Sequence, residues 1–183
     1  MQLSDEKSNT RCVLFDWGDT LMRDFPEFTG AMVSWPRVEV CAYAEDVLGA
    51  LRAMGWMIAL ATNAADSAEG DVWDALRRGG LDSLLDRVYC FRNVGFRKPF
   101  RAFFDFIVRD LGLPRSEIVM VGDDFAADVL GANVAGIRAV WVARGPEAER
   151  TGDMHRTIRD LRDLPRVLEQ WTTIGMNRTR VST

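Results

Sequence analysis

The sequence has few of the residues that several common chemistries require. Its 183 residues include three cysteines, Cys12, Cys41 and Cys90, at unpaired spacings. We therefore predict neither a disulfide framework nor a zinc site, and we expect a reducing, cytoplasmic location. The one histidine, His155, lies in a polar stretch and is predicted to be a surface residue, which leaves Ser–His or Cys–His catalysis little to work with.

Lysine, net positive charge and long apolar runs are also scarce. Lysine occurs only at Lys7 and Lys98, so chemistry that needs a second lysine outside the polar N-terminus is excluded. A formal charge of −4 and a pI near 5.1 argue against a nucleic-acid partner. No apolar run approaches the ~20 residues that span a bilayer, and residues 1–10 are too polar for a secretory signal. No membrane partner is expected, and nothing indicates an oligomeric state.

Short apolar runs alternate with segments of helical periodicity. Because strands that alternate with helices form parallel sheets, the chain is predicted to be an α/β protein with a single doubly wound parallel sheet and helices on both faces. Strands are predicted at 11–15, 56–61, 88–91, 117–121 and 137–142, and helices at 44–54, 71–78, 100–111, 126–135 and 164–171. One domain, 11–171, with a short insert at 22–40, is expected between flexible tails at 1–10 and 172–183.

Polar side chains follow the predicted strands at the edge where such sheets bind ligands. They are Asp16 after the first strand, Thr62 and Asn63 after the second, Lys98 in the loop beyond the third, and Asp123 and Asp124 after the fourth. Neighbouring carboxylates repel unless a cation lies between them, and Mg²⁺ suits a site with few protein oxygens and a substrate phosphate. An aspartate can also attack phosphorus, while a lysine and a hydroxyl stabilise the phosphoryl oxygens.

These residues lie in segments that resemble the four motifs of the haloacid dehalogenase (HAD) superfamily, in the order of that family. The segments are Phe15–Leu21 (FDWGDTL), Leu60–Asn63 (LATN), Arg97–Pro99 (RKP) and Val121–Asp124 (VGDD) followed by Asp128. Each motif alone would be a weak signal, but the four together, in order and at strand ends, are a strong one. The resemblance spans roughly residues 11–143 and implies the HAD-like Rossmannoid fold.

The resemblance also implies a role for each motif residue. Asp16 would be the nucleophile and Lys98 the lysine that stabilises its charge. Thr62 would bind the transferred phosphoryl group, and Asn63 and Lys98 would also contact the substrate.

A Mg²⁺ site is implied by the same resemblance. Asp16, the backbone carbonyl of Gly18, and Asp123 would be ligands. Asp128, the second acid of the fourth motif, would bind metal water or Lys98. Asp124 stands where many relatives have Ser and is a weaker candidate ligand.

The sequence departs from the family at Gly18. Phosphatases of the family have an Asp there, as general acid for the leaving group and general base for water, whereas this chain has Asp19 one residue later. Three explanations remain open: substrates whose leaving groups need no acid, substitution by Asp19, or a weak or silent member of the family. General acid–base catalysis is worth ~10²–10⁴-fold in rate, so the difference matters.

The insert 22–40 is the main spare segment, so the protein resembles members with a minimal cap. Its residues Phe25, Phe28, Trp35 and Pro36 are expected to pack the loop onto the sheet edge, and a small lid over the substrate is the alternative. An open site of this kind would suit large or polymeric substrates, or one covered by a partner subunit.

Together these observations predict a Mg²⁺-dependent, phosphatase-like hydrolase that acts on a phosphorylated substrate. The alternative is a catalytically weak or silent HAD-fold protein with a binding or scaffold role. A metal-free haloacid dehalogenase ranks third, because Gly18 does not match that branch and the acids Asp123 and Asp128 favour a metal.

Overall fold

The computed structural model of the protein describes residues 11–145 and 149–179, and for 172–179 it describes only the backbone. The predicted tail at 1–10, and residues 180–183 of the predicted C-terminal tail, lie outside the described residues. Among the described residues, no helix has the length and apolar character needed to cross a membrane.

One sheet organises the fold. Its strands are β1 (Arg11–Phe15), β2 (Trp56–Ala61), β3 (Arg87–Tyr89), β4 (Ile118–Gly122), β5 (Arg138–Val142) and β6 (His155–Ile158). They run parallel in the order β3-β2-β1-β4-β5-β6, which confirms the predicted doubly wound α/β fold. The strand order reverses between β1 and β4, so the candidate motif residues at their carboxyl ends lie at the switch point of the sheet.

Helices cover both faces of the sheet. They are α1 (Ala44–Ala53), α2 (Glu69–Arg78), the short α3 (Phe91–Val94), α4 (Arg101–Leu111), α5 (Gly131–Val134) and α6 (Leu164–Thr179), with a π-helical turn, Phe125–Leu130, leading into α5. Val13 and Phe15 of the central strand β1 pack into the core beneath α1, α2 and α6, while Cys12 and Leu14 face the core beneath α4 and α5. Because side chains alternate along a strand, β1 is buried on both faces and reads as a continuous apolar run.

Several boundaries differ from the predicted ones. Phe91, predicted to end a strand, begins α3 instead, and β3 ends at Tyr89. The last helix continues to Thr179, eight residues past its predicted end at Trp171.

The sixth strand was not predicted, and His155, which was expected to be a surface residue, is part of it. His155 is half-buried in β6; its Nδ1 lies 2.9 Å from Oδ1 of Asn133, and its ring packs edge-on against Phe125. Only Ile158 of this four-residue strand is buried, so the strand has almost no apolar signal. Short polar strands are typical of sheet edges, where unpaired backbone must be protected from other chains.

The insert 22–40 leaves and rejoins the core at one place. Met22 bridges Val40 in antiparallel fashion, and the N–H of Arg23 donates to the carbonyl of Glu39 at 2.8 Å. The guanidinium of Arg78 on α2 donates to the carbonyl of Val33 at 2.7 Å and so ties the insert to the core.

The aromatic residues of the insert join the larger core cluster, as expected for a loop packed onto the sheet, whereas Pro36 was expected to pack there and is exposed. Phe25, Phe28 and Trp35 pack against one another with ring centroids 5.6–6.3 Å apart. Arg37 stacks over Phe25. Edge-on and tilted ring contacts of this kind are favourable, so they help to hold the insert on the core.

Gly131 lets α5 approach the loop that carries Lys98. A Cβ at this position would lie 2.8 Å from Cα of Pro99 and 3.1 Å from the ring of Phe104. Both distances are too short for carbon atoms, and the first neighbour is backbone that cannot rotate away.

We expect Gly131→Ala to lower the free energy of unfolding by about 1–3 kcal/mol, because the added methyl group overpacks this contact. Gly49→Ala in α1 is the matched control. It meets no atom within 4 Å and should stabilise the protein by about 0.5–1 kcal/mol through helix propensity. Urea denaturation of both variants tests this, and equal stabilisation by the two substitutions would contradict it.

Candidate active site

Asp16 is fixed where β1 leaves the sheet. Its backbone N–H donates to the carbonyl of Val121 in β4 at 2.8 Å, so pairing between the two strands continues one residue past β1. Leu21 and Met22 then both donate to the carbonyl of Trp17 at 3.0 Å, which closes a tight loop after Asp16. The side chain of Asp16 is thereby held at the switch point of the sheet.

Lys98 joins Asp16 to Asp128. Its Nζ lies 2.6 Å from Oδ1 of Asp16 and 2.6 Å from Oδ1 of Asp128. The Lys98 and Asp128 side chains are 2% and 1% exposed. Lys98 therefore forms two ion pairs, one with each aspartate, in the interior of the protein. The predicted proximity of the first, third and fourth motifs is therefore present in the structure.

Burial and the neighbouring charges shift the pKa values of Lys98 and Asp128 in opposite directions. Burial alone would lower the pKa of Lys98, but the carboxylates of Asp16 and Asp128 outweigh it and hold that pKa above its ordinary value. Burial raises the pKa of Asp128, against the charge of Lys98. Both oxygens of Asp128 accept hydrogen bonds, one from Lys98 and the other from the N–H of Asp124 at 3.1 Å, which is the pattern of an ionised carboxylate.

Asn63 positions Lys98. Its Oδ1 accepts from the Lys98 N–H at 2.8 Å, and its Nδ2 donates to the Lys98 carbonyl at 3.0 Å. Sequence reasoning predicted Asn63 as a substrate-contacting residue and missed this structural role, since no local pattern links positions 63 and 98.

Three carboxylates converge at this edge of the sheet. Asp16, Asp123 and Asp128 each offer one oxygen within 4.8 Å of the others. A side chain in place of Gly122 would overlap the carboxylate of Asp128, so glycine is required there. An all-oxygen donor set with excess negative charge fits a hard divalent cation such as Mg²⁺.

Asp123 is partly buried among other carboxylates. Burial, followed by the charges of Asp16, Asp19 and Asp124, raises its pKa to about 6. The buried hydroxyl of Thr20 lies 3.5 Å from its Oδ1. Thr20 was not singled out from the sequence, although it is the last polar residue of the first motif.

Asp124, the weaker candidate ligand, holds the turn that presents Asp128. Its Oδ1 accepts from the N–H groups of Ala126 and Ala127, both at 2.9 Å, and so caps the π-helical turn. A side-chain oxygen in this position satisfies N–H groups that have no helical partner.

Thr62 lies at the end of β2 and is 4% exposed. Its N–H donates to the carbonyl of Tyr89 at 2.8 Å, and its Oγ1 accepts from the N–H of Ala64 at 3.1 Å. These two bonds fix both the backbone and the hydroxyl at the cavity wall.

The position of Gly18 is bordered by an acid that sequence reasoning missed. Asp19 adopts a left-handed conformation with φ of 50°, and its Oδ1 accepts from the Asp24 N–H at 3.2 Å. The Asp24 side chain in turn lies beside Gly18. Burial and the charge of Asp19 raise the pKa of Asp24. Positions 18 and 24 come together only because the chain between them forms a tight loop. No sequence pattern indicates this contact.

A cavity of about 430 Å³ lies above these groups. The predicted residues Asp16, Gly18, Thr62, Asn63, Lys98, Asp123 and Asp128 all line it, together with Asp19, Asp24, Asp66 and Asp124. Gly30, Met32 and Trp35 of the insert also line the cavity, so the insert borders the site.

Known proteins with similar sequences include HAD-like hydrolases and phosphatases. The HAD-hydrolase-like family model matches residues 95–164. A phosphoserine phosphatase from Thermus thermophilus is 36% identical over 123 residues, 63% of this chain and 48% of that protein. A glyceraldehyde 3-phosphate phosphatase from Methanothermobacter thermautotrophicus is 30% identical over 131 residues, 71% of this chain and 50% of that protein. The chain thus spans about half the length of these curated relatives.

A solved structure resembles the whole described fold. The crystal structure of an uncharacterized protein from Listeria monocytogenes serotype 4b matches with a TM-score of 0.78 at 25% identity, over 89% of this chain and 99% of that one. The family match, the named relatives and the order of motifs at the sheet edge agree, and together they support assignment of the chain to the haloacid dehalogenase (HAD) superfamily.

Proposed function

We propose that the protein is a Mg²⁺-dependent, phosphatase-like hydrolase in which Asp16 attacks the phosphorus of a phosphorylated substrate. The observation that carries the proposal is the convergence of Asp16, a buried lysine and two further carboxylates on one cavity. The curated relatives named above are phosphatases, which supports the same class of reaction.

Asp16 has one oxygen to spare for the chemistry. Lys98 holds Oδ1 at 2.6 Å, so Oδ2 is the candidate nucleophile. In the first step a bond forms between this oxygen and phosphorus while the bond to the leaving-group oxygen breaks. In the second, water attacks phosphorus, the bond to Asp16 breaks, and inorganic phosphate is released.

The surrounding donors stabilise the charge that develops during transfer. The Thr62 hydroxyl, whose oxygen already accepts from Ala64, is left to donate its proton to a phosphoryl oxygen. Lys98 balances the charges of Asp16 and Asp128 before the substrate binds and remains between them afterwards.

Asp16, Asp123, Asp128 and the carbonyl of Gly18 are the residues that would hold Mg²⁺. When bound, the ion supplies positive charge that offsets the negative charge of the phosphoryl oxygens and of the nucleophile. The raised pKa of Asp123 supports this assignment, since burial and then the charges of Asp16, Asp19 and Asp124 disfavour its carboxylate when no cation is bound.

Phosphate monoesters are the proposed substrate class. Phosphoserine and glyceraldehyde 3-phosphate, the compounds named for the relatives, are the first to be tried. Gly18 is the one observation that favours a silent, binding or scaffold protein instead, and measured turnover decides between the two.

Replacement of the nucleophile should abolish turnover. We expect Asp16→Asn to lower the rate of phosphate release by about 10³-fold or more while the protein stays folded, because the amide can still bind Lys98 but cannot attack phosphorus. Asp105→Asn is the matched control; Asp105 pairs with Arg101 and Arg115 on the surface and should leave the rate unchanged. Equal activity of wild type and Asp16→Asn on phosphoserine, glyceraldehyde 3-phosphate and p-nitrophenyl phosphate would refute the proposal.

Metal binding can be measured without turnover. We expect EDTA to abolish activity and added Mg²⁺ to restore it, and calorimetry to show Mg²⁺ affinity at least about 10-fold weaker in Asp123→Asn than in wild type. The Asp105→Asn variant should bind Mg²⁺ as the wild type does. Phosphate release that survives exhaustive chelation would contradict the role of the metal, whereas halide release that is unaffected by chelation would favour the dehalogenase alternative.

The buried ion pair should dominate local stability. Lys98→Met leaves Asp16 and Asp128 facing each other, and we expect it to reduce the free energy of unfolding by about 3–5 kcal/mol. Asp128→Asn should cost less in the Lys98→Met background than in wild type, because the carboxylate has already lost its partner. A double-mutant cycle by urea denaturation measures this, and strictly additive effects would show that the two residues do not interact.

A further inference from the structure

Position 18 is a glycine and has no acidic side chain, but the carboxylate of Asp24 lies next to it. A Cβ built on Gly18 would be 3.6 Å from both Cβ and Oδ2 of Asp24, and these are the nearest side-chain atoms to it. A carboxylate at position 18 and the carboxylate of Asp24 would therefore reach into the same part of the cavity, which both residues line.

Asp24 is held in this place by its own segment. Its N–H donates to Oδ1 of Asp19, and the neighbouring Arg23 N–H donates to the carbonyl of Glu39 at 2.8 Å. Asp19 also donates its N–H to the carbonyl of Met22 at 2.7 Å. Asp19, the acid next to Gly18, thus fixes the backbone of Asp24.

We propose that Asp24 is the general acid and base of the reaction and supplies from the insert the group that Gly18 lacks. The inference rests on the proposed phosphatase function and deepens it. Asp24 is solvent-exposed and lines the cavity, so both a departing leaving group and incoming water can reach it.

The proton balance of the two steps is as follows. While the bond from Asp16 to phosphorus forms, protonated Asp24 gives its proton to the departing oxygen, which leaves as an alcohol. The resulting Asp24 carboxylate takes a proton from water as that water attacks phosphorus, so Asp24 ends protonated and Asp16 ends as a free carboxylate. No oxidant, reductant or further reactant is needed.

The other acids around the cavity are less suited to this task. Asp128 is bound by Lys98 and Asp124, and Asp19 is bound to the backbone of Asp24. Asp66 also lines the cavity, but from the loop after β2 and not beside Gly18. Asp66→Asn therefore serves as the rival variant in the test.

The first experiment compares leaving groups. We expect Asp24→Asn to lower turnover of phosphoserine, a poor alkoxide leaving group, by about 10²–10⁴-fold. With p-nitrophenyl phosphate, whose leaving group needs no acid, the variant should release about one equivalent of p-nitrophenolate in a burst and then turn over slowly. The phosphorylated enzyme should accumulate and be visible in the intact mass, because the base for the second step is missing.

Glu27→Gln is the matched control. Glu27 is an exposed acid of the same insert that pairs with Arg37, and its replacement should change neither rate nor burst. Circular dichroism should show all variants folded, since the Asp24 side chain is on the surface.

A rescue experiment moves the carboxylate back to position 18. Gly18 does not have a positive φ, and its added Cβ meets neighbours only at ordinary contact distances, so an aspartate fits there. We expect Gly18→Asp to restore at least about a tenth of wild-type turnover when combined with Asp24→Asn.

The outcomes separate this inference from the proposed function. A wild type inactive on every phosphate ester overturns both. A wild type that depends on Asp16 while Asp24→Asn keeps full activity on phosphoserine overturns the role of Asp24 alone. That role is also overturned if Asp66→Asn and not Asp24→Asn produces the burst, or if Gly18→Asp alone raises turnover 10²-fold.

Discussion

The buried ammonium group of Lys98 is the constraint on which the rest of the site depends. A charge this well buried is tolerated only with close partners of opposite sign, and Asp16 and Asp128 each approach it to 2.6 Å. Their placement determines much of the neighbouring structure. Asn63 fixes the lysine backbone from β2, Asp124 caps the turn that carries Asp128, and Gly122 leaves room for that carboxylate.

Charge and access are provided by different parts of the chain. The parallel sheet holds Asp16 and Asp123 just past the carboxyl ends of β1 and β4, while Lys98 comes from the loop after α3 and Asp128 from the π-helical turn. The insert 22–40 adds Met32, Trp35 and Asp24 to the lining of the cavity. The aromatic contacts of the insert and the hydrogen bond from Arg78 to the Val33 carbonyl hold these residues in place beside the sheet.

Much of this arrangement could be predicted from the sequence, because it depends on rules that act locally or through strand order. Buried parallel strands such as β1 read as apolar runs, and ligand groups gather where these strands end, so sequence alone places Asp16 and Asp123 at one edge of the sheet. The unpredicted parts have different physical origins. β6 has one buried residue and little pattern to detect, while the contacts of Asn63 with Lys98 and of Asp24 with Gly18 arise from chain reversals that composition and periodicity do not encode.

The insert has a consequence for how such a site can diversify. Asp24 and the apolar wall of Trp35 and Met32 belong to one excursion of the chain, which enters and leaves the core at Met22 and Val40. A single insertion or deletion in this excursion would reshape the ligand-facing wall and displace the carboxylate together. Selection for a different substrate and selection on the proposed proton transfer by Asp24 would therefore act on the same segment. The charged residues outside the insert, Asp16, Lys98, Asp123 and Asp128, would be unchanged by either.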